Sequence, residues 1–327
     1  MPNKPSTLSR QSLPSPTGRA GGGVVCSIGF FDGVHRGHQH LIRQVRDEAQ
    51  CRGVRSLLIT FDRHPRAVFA PDSVPPLLTT AEEKMALLGA TGVDEIFVLP
   101  FDRAMAALTA REFMEQVLKE QLGVSALVIG YDHHFGHPVP ALKGKPSFAD
   151  YQRWGREVGI DVVQATELEG EHISSSAIRH ALEQGDVTFA AHLLGRSYAW
   201  RGQVVHGHAI GRQLGFPTAN LHAVDAGKLL PSRGVYAVRV TGSSDTSVEW
   251  EGTAMLNIGR RPTLANGEDI SVEAHLFDFH GDLYGQTLTL SFIARLRAEQ
   301  RFDSEEALAR QLETDKANAL AALNLKS

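Results

Sequence analysis

Apolar positions recur with two different periods along the first part of the chain. Val24–Ile28 is a short, mainly apolar run of strand length, the pattern of a strand buried on both faces. Behind it, Leu41, Ile42, Val45 and Ala49 repeat at helical spacing across 39–49. The alternation continues with strand patterns at Arg55–Phe61, Glu95–Leu99, 126–130 and 161–165. Helical patterns fall between them at 81–88, 110–122 and Phe148–Val158. Thr109 followed by Glu112 is a capping box for the helix at 110–122. Strand and helix in turn predict a parallel sheet covered on both faces.

A helix over Val187–Leu194 stops at Gly195, a residue suited to the left-handed position that ends helices. After it, short runs rich in Val, Thr and aromatics replace the helical period, at 198–205, 235–241, 249–258, 271–277 and 287–294. Gly, Asn and Asp turns separate them, which predicts a small antiparallel barrel or sandwich. A last amphipathic helix over 304–323 carries Leu308, Leu312, Ala319 and Leu320, with Ser304 as its cap. The expected organisation is an extension at 1–23, an α/β domain at 24–195, and a β domain with a terminal helix at 196–327. The extension is rich in Ser, Pro and Gly and is expected to be disordered.

In open parallel sheets ligands sit beyond the carboxyl ends of the strands, so the turns there carry the candidate chemistry. The first joins strand to helix and reads Gly29-Phe30-Phe31-Asp32-Gly33-Val34-His35-Arg36-Gly37-His38. Gly33 and Gly37 clear space for a ligand near the backbone. His35 and His38, three apart at a helix start, would share a face. Free N–H groups and a partial positive charge there suit phosphate. A tight turn with two surface histidines is the plainer alternative. Two more polar turns follow, 62–66 and 131–136.

Further on, Ile173-Ser174-Ser175-Ser176-Ala177-Ile178-Arg179 sets hydroxyls and an arginine at a helix start. These serve either as caps or as a polyphosphate cradle. The loop over 207–220 is glycine-rich but lacks Gly-x-Gly-x-x-Gly spacing, and Pro217 blocks a following helix. It is neither a Rossmann turn nor a Walker A loop. Thr218 and Asn220 offer neutral oxygens of the kind magnesium takes. A strand period places Glu273, His275 and Phe277 on one face, opposite Val272, Ala274 and Leu276.

Composition narrows the partners. The chain has 327 residues, enough for two domains, with 42% hydrophobic and 21% charged content and a net charge of −4. Nothing in that balance points to nucleic acid. No apolar run is long enough to span a membrane, and 1–23 lacks the apolar core of a secretory signal. Cys26 and Cys51 are too few for a disulfide or zinc framework and read as reduced thiols of a cytoplasmic protein. His133, His134 and His137 invite a zinc reading, but no cysteine or fourth ligand has the spacing of a structural site.

The strings in order resemble the bifunctional bacterial riboflavin kinase/FAD synthetases, from Val24 to the terminal helix. The turn at 29–38 is similar to the nucleotidyltransferase His-x-Gly-His signature, with Phe30 where Asn is frequent. Phe61 to Pro65 resembles a Phe-x-x-His-Pro segment. The 130–136 loop resembles Gly-x-Asp-Phe-x-Phe-Gly with His133 at a usual Phe, though 137–142 departs from the family. The serine segment resembles Ile-Ser-Ser-Thr-x-Ile-Arg with Ser176 for Thr, and GRQLGFPTANL, at 211–221, resembles the riboflavin kinase signature. The resemblance implies a nucleotidyltransferase-type, Rossmann-like sheet followed by a β-barrel. It implies ATP-dependent conversion of riboflavin to FMN in the second domain and of FMN to FAD in the first.

It further implies Glu273 as base in the barrel and His35 and His38 as catalytic groups in the sheet domain. Phosphate and nucleotide contacts would come from Gly29, Phe31, Asp32, Gly33, Gly37, Ser175, Ser176 and Arg179, and in the barrel from Gly211, Arg212, Gly215 and Pro217. Flavin contacts would come from Asp62, His64, Asp132 and Phe135. Thr218 and Asn220 would hold Mg2+. The implied partners are riboflavin, FMN and ATP, with no nucleic acid and no membrane, and the oligomeric state is left open. Two rivals stand beside this reading: a nucleotidyltransferase with another acceptor, and a non-catalytic flavin- or nucleotide-binding regulator.

Overall fold

The computed structural model describes residues 23–130, 135–138, 145–168, 170–171, 173–206, 216–243, 249–261 and 269–324. The chain divides into two compact units. Residues through Pro75 and Ala81–His172 form one, and Pro76–Thr80 with Ile173 onward form the other.

The first unit is built on strands β1 (Val24–Ile28), β2 (Arg55–Phe61), β3 (Glu95–Leu99), β4 (Val124–Ile129) and β5 (Asp161–Gln164). They make one sheet in the order β3-β2-β1-β4-β5, with every adjacent pair parallel. All five residues of β1 are buried, as a central strand with two covered faces requires. On one face Cys26, Leu127 and Leu57 pack against Phe113, Met114, Tyr151 and Trp154. These come from α5 (Ala110–Phe113), the π-helix Met114–Gln121 that continues it, and α6 (Phe148–Val158). On the other face Val25, Ala126 and Val128 meet Val45 and Ala49 of α1 (Arg36–Arg52). Beside them Leu58 packs with Ile42 and with Leu88 of α3 (Ala81–Gly89).

The expected helix at 110–122 is therefore α-helical only in its first turn, although its capping box forms as the sequence indicates. Two short helices, α2 (Arg66–Phe69) and α4 (Arg103–Ala107), have too few turns to show a period.

The second unit contains β6 (Ala199–Val205), β7 (Ala219–Ala223), β8 (Gly234–Ser243), β9 (Glu249–Arg261), β10 (Asp269–Leu276) and β11 (Thr287–Arg297). They close into a barrel in the order β10-β7-β6-β11-β8-β9, which decides between barrel and sandwich. Strand β7 was not expected, because its first residues fall in the stretch 207–220 that the glycines mark as a loop. The interior holds Val204, Leu221, Tyr236, Val238, Leu256, Val272, Leu288 and Phe292. The same apolar cluster includes Ile178 and Leu182 of α7 (Ser175–Glu183) and Leu193 and Leu194 of α8 (Val187–Leu194). These two helices thus share a core with the barrel.

The terminal helix α9 (Glu305–Asn324) packs outside the barrel, with Ala319 and Leu323 against Ala237, Met255, Phe277 and Ile293. One partly buried ion pair pins it. Arg297 Nη2 donates to Asp315 Oδ2 at 2.8 Å and Gln311 Nε2 to Oδ1 at 2.8 Å. Removing Arg297 would leave the buried Asp315 carboxylate without its counter-charge.

Candidate active sites

In the sheet unit the strand order reverses at β1, so the crevice expected of this topology opens at the carboxyl ends of β1 and β4. The turn leaving β1 is strained. Phe31, Gly33 and Val34 all have positive φ, at 55°, 81° and 40°. For Phe and Val this costs of order 1–3 kcal/mol each. Both side chains are buried in the cluster with Ile42, Leu58 and Leu88, worth about 1.5–3 kcal/mol each. Burial thus offsets the strain, and Asp32 and Gly33 are held between the two anchors.

The turn is tied down elsewhere too. Thr60 Oγ1 donates to the Phe30 carbonyl at 3.2 Å, and Gly29 N–H to the Ile59 carbonyl at 3.0 Å. A Cβ on Gly29 would come within 3.1 Å of the Phe31 ring, which would have to give by a few tenths of an ångström.

His35 caps α1 through Nδ1, which accepts the His38 N–H at 3.2 Å. A nitrogen that accepts carries no hydrogen, so neutral His35 keeps its proton on Nε2. The His35 and His38 rings stack with centroids 3.6 Å apart and 17° between planes. No acidic residue lies in the first turn of α1, and the positive end of a helix suits an anion. The structure therefore brings Gly29, Phe31, Asp32, Gly33, Gly37, His35 and His38 together at one helix start.

Next to the turn lies a cavity of about 420 Å³ whose walls include Phe30, Phe61, His64, Phe101, Phe113 and Phe135. Its aromatic lining suits a flat conjugated ring. Phe30 meets His64 edge to face at 4.9 Å. Tyr151 stacks on Phe135 at 4.9 Å and bonds its backbone. Asp62 supports this wall: its carboxylate accepts Phe101 N–H at 2.9 Å and the Arg63 guanidinium at 2.9 Å. Burial alone would raise the Asp62 carboxyl, but these two donors outweigh it and hold the group below its usual value. Asp132, with His133 and His134, lies outside the described residues.

Sequence reasoning missed Lys84, which looks like a surface charge on an amphipathic helix. It is buried, donates to the Phe61 carbonyl at 3.0 Å and lies 4.1 Å from the Phe30 ring centroid. Burial lowers its pKa, while the charges of Asp32 and Asp62 act the other way.

In the barrel unit, cross-strand register builds the site. Glu273 of β10 pairs with Asn220 of β7 on one side and with Asn257 of β9 on the other. Paired residues point to the same side of a sheet. Val272 and Ala274 belong to the interior cluster, so Glu273, Asn220 and Asn257 face outward. Asn220 is buried there. In the same unit a cavity of about 500 Å³ is lined by Pro217, Thr218, Phe279 and Tyr284 among others, though not by the three residues of this row.

His275, on the outward face with Glu273, is also buried. Its Nδ1 lies 2.8 Å from the Pro217 carbonyl. A carbonyl can only accept, so Nδ1 carries the hydrogen. Gly211, Arg212 and Gly215 lie outside the described residues. In the same unit Ser174 caps α7 by accepting the Ala177 N–H at 3.2 Å, which leaves Ser175 and Ser176 in the first turn. Arg179 Nε donates to the Pro76 carbonyl at 2.7 Å. The histidine turn belongs to the first unit and this serine–arginine segment to the second.

Two family models match the chain, FAD synthetase over residues 19–177 and riboflavin kinase over 194–323. The chain is 40% identical to the bifunctional riboflavin kinase/FMN adenylyltransferase of Pseudomonas fluorescens, over 91% of this chain and 93% of that one. It is 38% identical to the enzyme of that name from Escherichia coli K12, over 91% and 92%, and 33% identical to that from Bacillus subtilis, over 90% and 91%. A solved structure, that of a macrolide-efflux protein from Streptococcus pneumoniae, superposes with a TM-score of 0.77 at 33% identity, covering 92% of this chain and 94% of that one. Among the described residues here, no helix is long and apolar enough to cross a membrane. The chain belongs to the bifunctional riboflavin kinase/FMN adenylyltransferase family, with its FAD synthetase domain first and its riboflavin kinase domain second.

Proposed function

We propose that the segment 196–327 transfers the γ-phosphoryl of ATP to riboflavin, and that 24–195 then joins the FMN so formed to the AMP portion of a second ATP. The observation that carries the reading is the strained turn from Phe31 to Val34, which delivers His35 and His38 to a helix start with no acidic residue in its first turn.

In the first segment an oxygen of the FMN phosphate bonds to the α-phosphorus of ATP. The bond from that phosphorus to the bridging oxygen breaks, and pyrophosphate leaves. The attacking oxygen is already ionised, so no base is required. His35, through Nε2–H, His38 and the first N–H groups of α1 stabilise the charge that builds on the phosphate oxygens. Ser175, Ser176 and Arg179 hold the polyphosphate. The aromatic cavity takes the flavin ring, with His64 and Phe135 in its walls and Asp62 and Asp132 supporting that contact.

In the barrel the Glu273 carboxylate takes the proton of a ribityl hydroxyl as its oxygen bonds to the γ-phosphorus and ADP leaves. Glycines 211 and 215, Arg212 and Pro217 belong to the loop that wraps the phosphates. The donors fit a magnesium ion: Asn220 is a buried amide in register with Glu273, and Thr218 adds a hydroxyl at a cavity wall. Thr218 and Asn220 would hold Mg2+, which when bound neutralises charge on the transferring phosphates. Both cysteines are free, Cys26 buried and Cys51 exposed, which supports a reducing cytoplasmic setting.

The test is a time course with riboflavin and excess ATP–Mg2+. FMN should rise first and FAD should follow. FMN alone would overturn the assignment of the first segment, and no FMN that of the barrel.

A further inference from the structure

We propose that His275 is a positioning residue for phosphoryl transfer, its ring holding the Pro217 carbonyl and so setting where Thr218 and Asn220 stand relative to Glu273. The inference rests on the kinase reading of the barrel.

The ladder between β10 and β7 holds two pairs, Glu273–Asn220 and Ala274–Ala219. Continued by one residue, that register sets His275 opposite Thr218. No backbone pair forms there, and the next residue on that strand, Pro217, has no N–H to give. The His275 ring supplies the missing rung by donating Nδ1–H to the Pro217 carbonyl at 2.8 Å. The residues entering β7 are thus fastened to β10 by a side chain where the main chain cannot do it.

The ring is itself held. Phe216 meets it edge to face at 5.1 Å and Phe277 at 5.7 Å, and both belong to the cluster that seats α9. A rigid ring on a barrel strand is a precise anchor, whereas a loop left to itself is not. The anchored atom lies one residue from Thr218 and three from Asn220. A small displacement of such oxygens relative to Glu273 costs rate without removing any reacting group.

Three variants of the full chain separate this role from simple packing. His275→Leu removes the donor and keeps an apolar side chain of similar reach. His275→Asn keeps an N–H at the Nδ1 position, and His275→Gln moves it to the Nε2 position. Hydrogen exchange of the Thr218 and Ala219 amides is read without ligand or metal, and riboflavin phosphorylation and FMN adenylylation are read separately. In His275→Leu and His275→Gln the exchange should quicken about tenfold. The kcat for riboflavin phosphorylation should fall about 10- to 100-fold, with FAD formation from FMN unchanged. His275→Asn should recover most of both.

Unchanged exchange in His275→Leu, faster exchange with normal kcat, or an Asn variant as impaired as Leu would each overturn the proposal. Should His275→Leu fail to fold, the Asn–Gln contrast decides alone. Absence of riboflavin phosphorylation in the parent would sink the kinase reading instead, and the exchange result would still report whether His275 anchors the strand.

Discussion

In the sheet unit, the histidine turn is one continuous stretch, Gly29 to His38, held against backbone strain by two buried anchors. In the barrel unit, Asn220, Glu273 and Asn257 come from three strands far apart in sequence and are matched only by register. A local turn can be moved as a unit and still present its N–H groups. A register site is lost if one strand slips by a residue, because every side chain then changes face. The barrel therefore needs closure and outside buttresses, which α7, α8 and α9 supply. The histidine turn needs only a strand end and a helix start.

That contrast is broken most severely by truncation. Ile178, Leu182, Leu193 and Leu194 are buried in the barrel's own cluster. Removing them withdraws about 6–12 kcal/mol of burial, comparable with the whole stability of a domain. A fragment beginning at Ile173 should unfold cooperatively at a clearly higher temperature than one beginning at Gly195. Equal melting temperatures would mean the two helices are passengers on the barrel.

Next in size is the base. Glu273→Gln keeps shape and hydrogen bonding but cannot take a proton, so riboflavin phosphorylation should fall by about 10²–10⁴. FAD formation from added FMN should stay at the parent rate. Normal phosphorylation by this variant would make Glu273 a surface residue of β10. The matching change in the sheet unit, His38→Ala, should lower FMN adenylylation by about 10²–10³ and leave the kinase intact. Equal loss of both activities would show that the two sites are not separable.

The same contrast explains what could be read from the sequence. The strained turn was legible because its glycines, aspartate and histidines are neighbours, and β1 and α1 flank it with clear periods. Glu273 was placed on the right face by its period of two, but its partners were not identifiable, because pairing with Asn220 and Asn257 depends on barrel closure. Strand β7 itself was missed, since it is five residues long and starts inside the stretch 207–220 that the glycines mark as a loop. Lys84 escaped for a related reason. On α3 it follows Glu82 and Glu83 and looks solvated, yet the helix turns it beneath Phe30 and the Phe61 carbonyl. The change to a π-helix after Phe113 left no mark in spacing over so few residues.

The smallest effect concerns pH and should touch the barrel unit. Burial lowers the pKa of His275 from its ordinary value of 6.5, Lys316 of α9 acts in the same direction, and the Pro217 carbonyl and Glu313 of α9 oppose them. Between the depressed folded value and 6.5, the unfolded chain binds a proton that the folded chain resists. Unfolding gains from each step toward acid in that window, so stability falls as pH drops through it and levels off below the folded value. His275→Asn has nothing to titrate there. Melting curves of parent and variant from about pH 7.5 to about pH 5 should diverge on the acid side, the parent losing a few degrees more than the variant. Carboxylates contribute to both curves and cancel in the difference. Parallel curves would mean that the folded barrel accepts the imidazolium without penalty, and that the ring is less enclosed than Phe216, Phe277 and α9 make it.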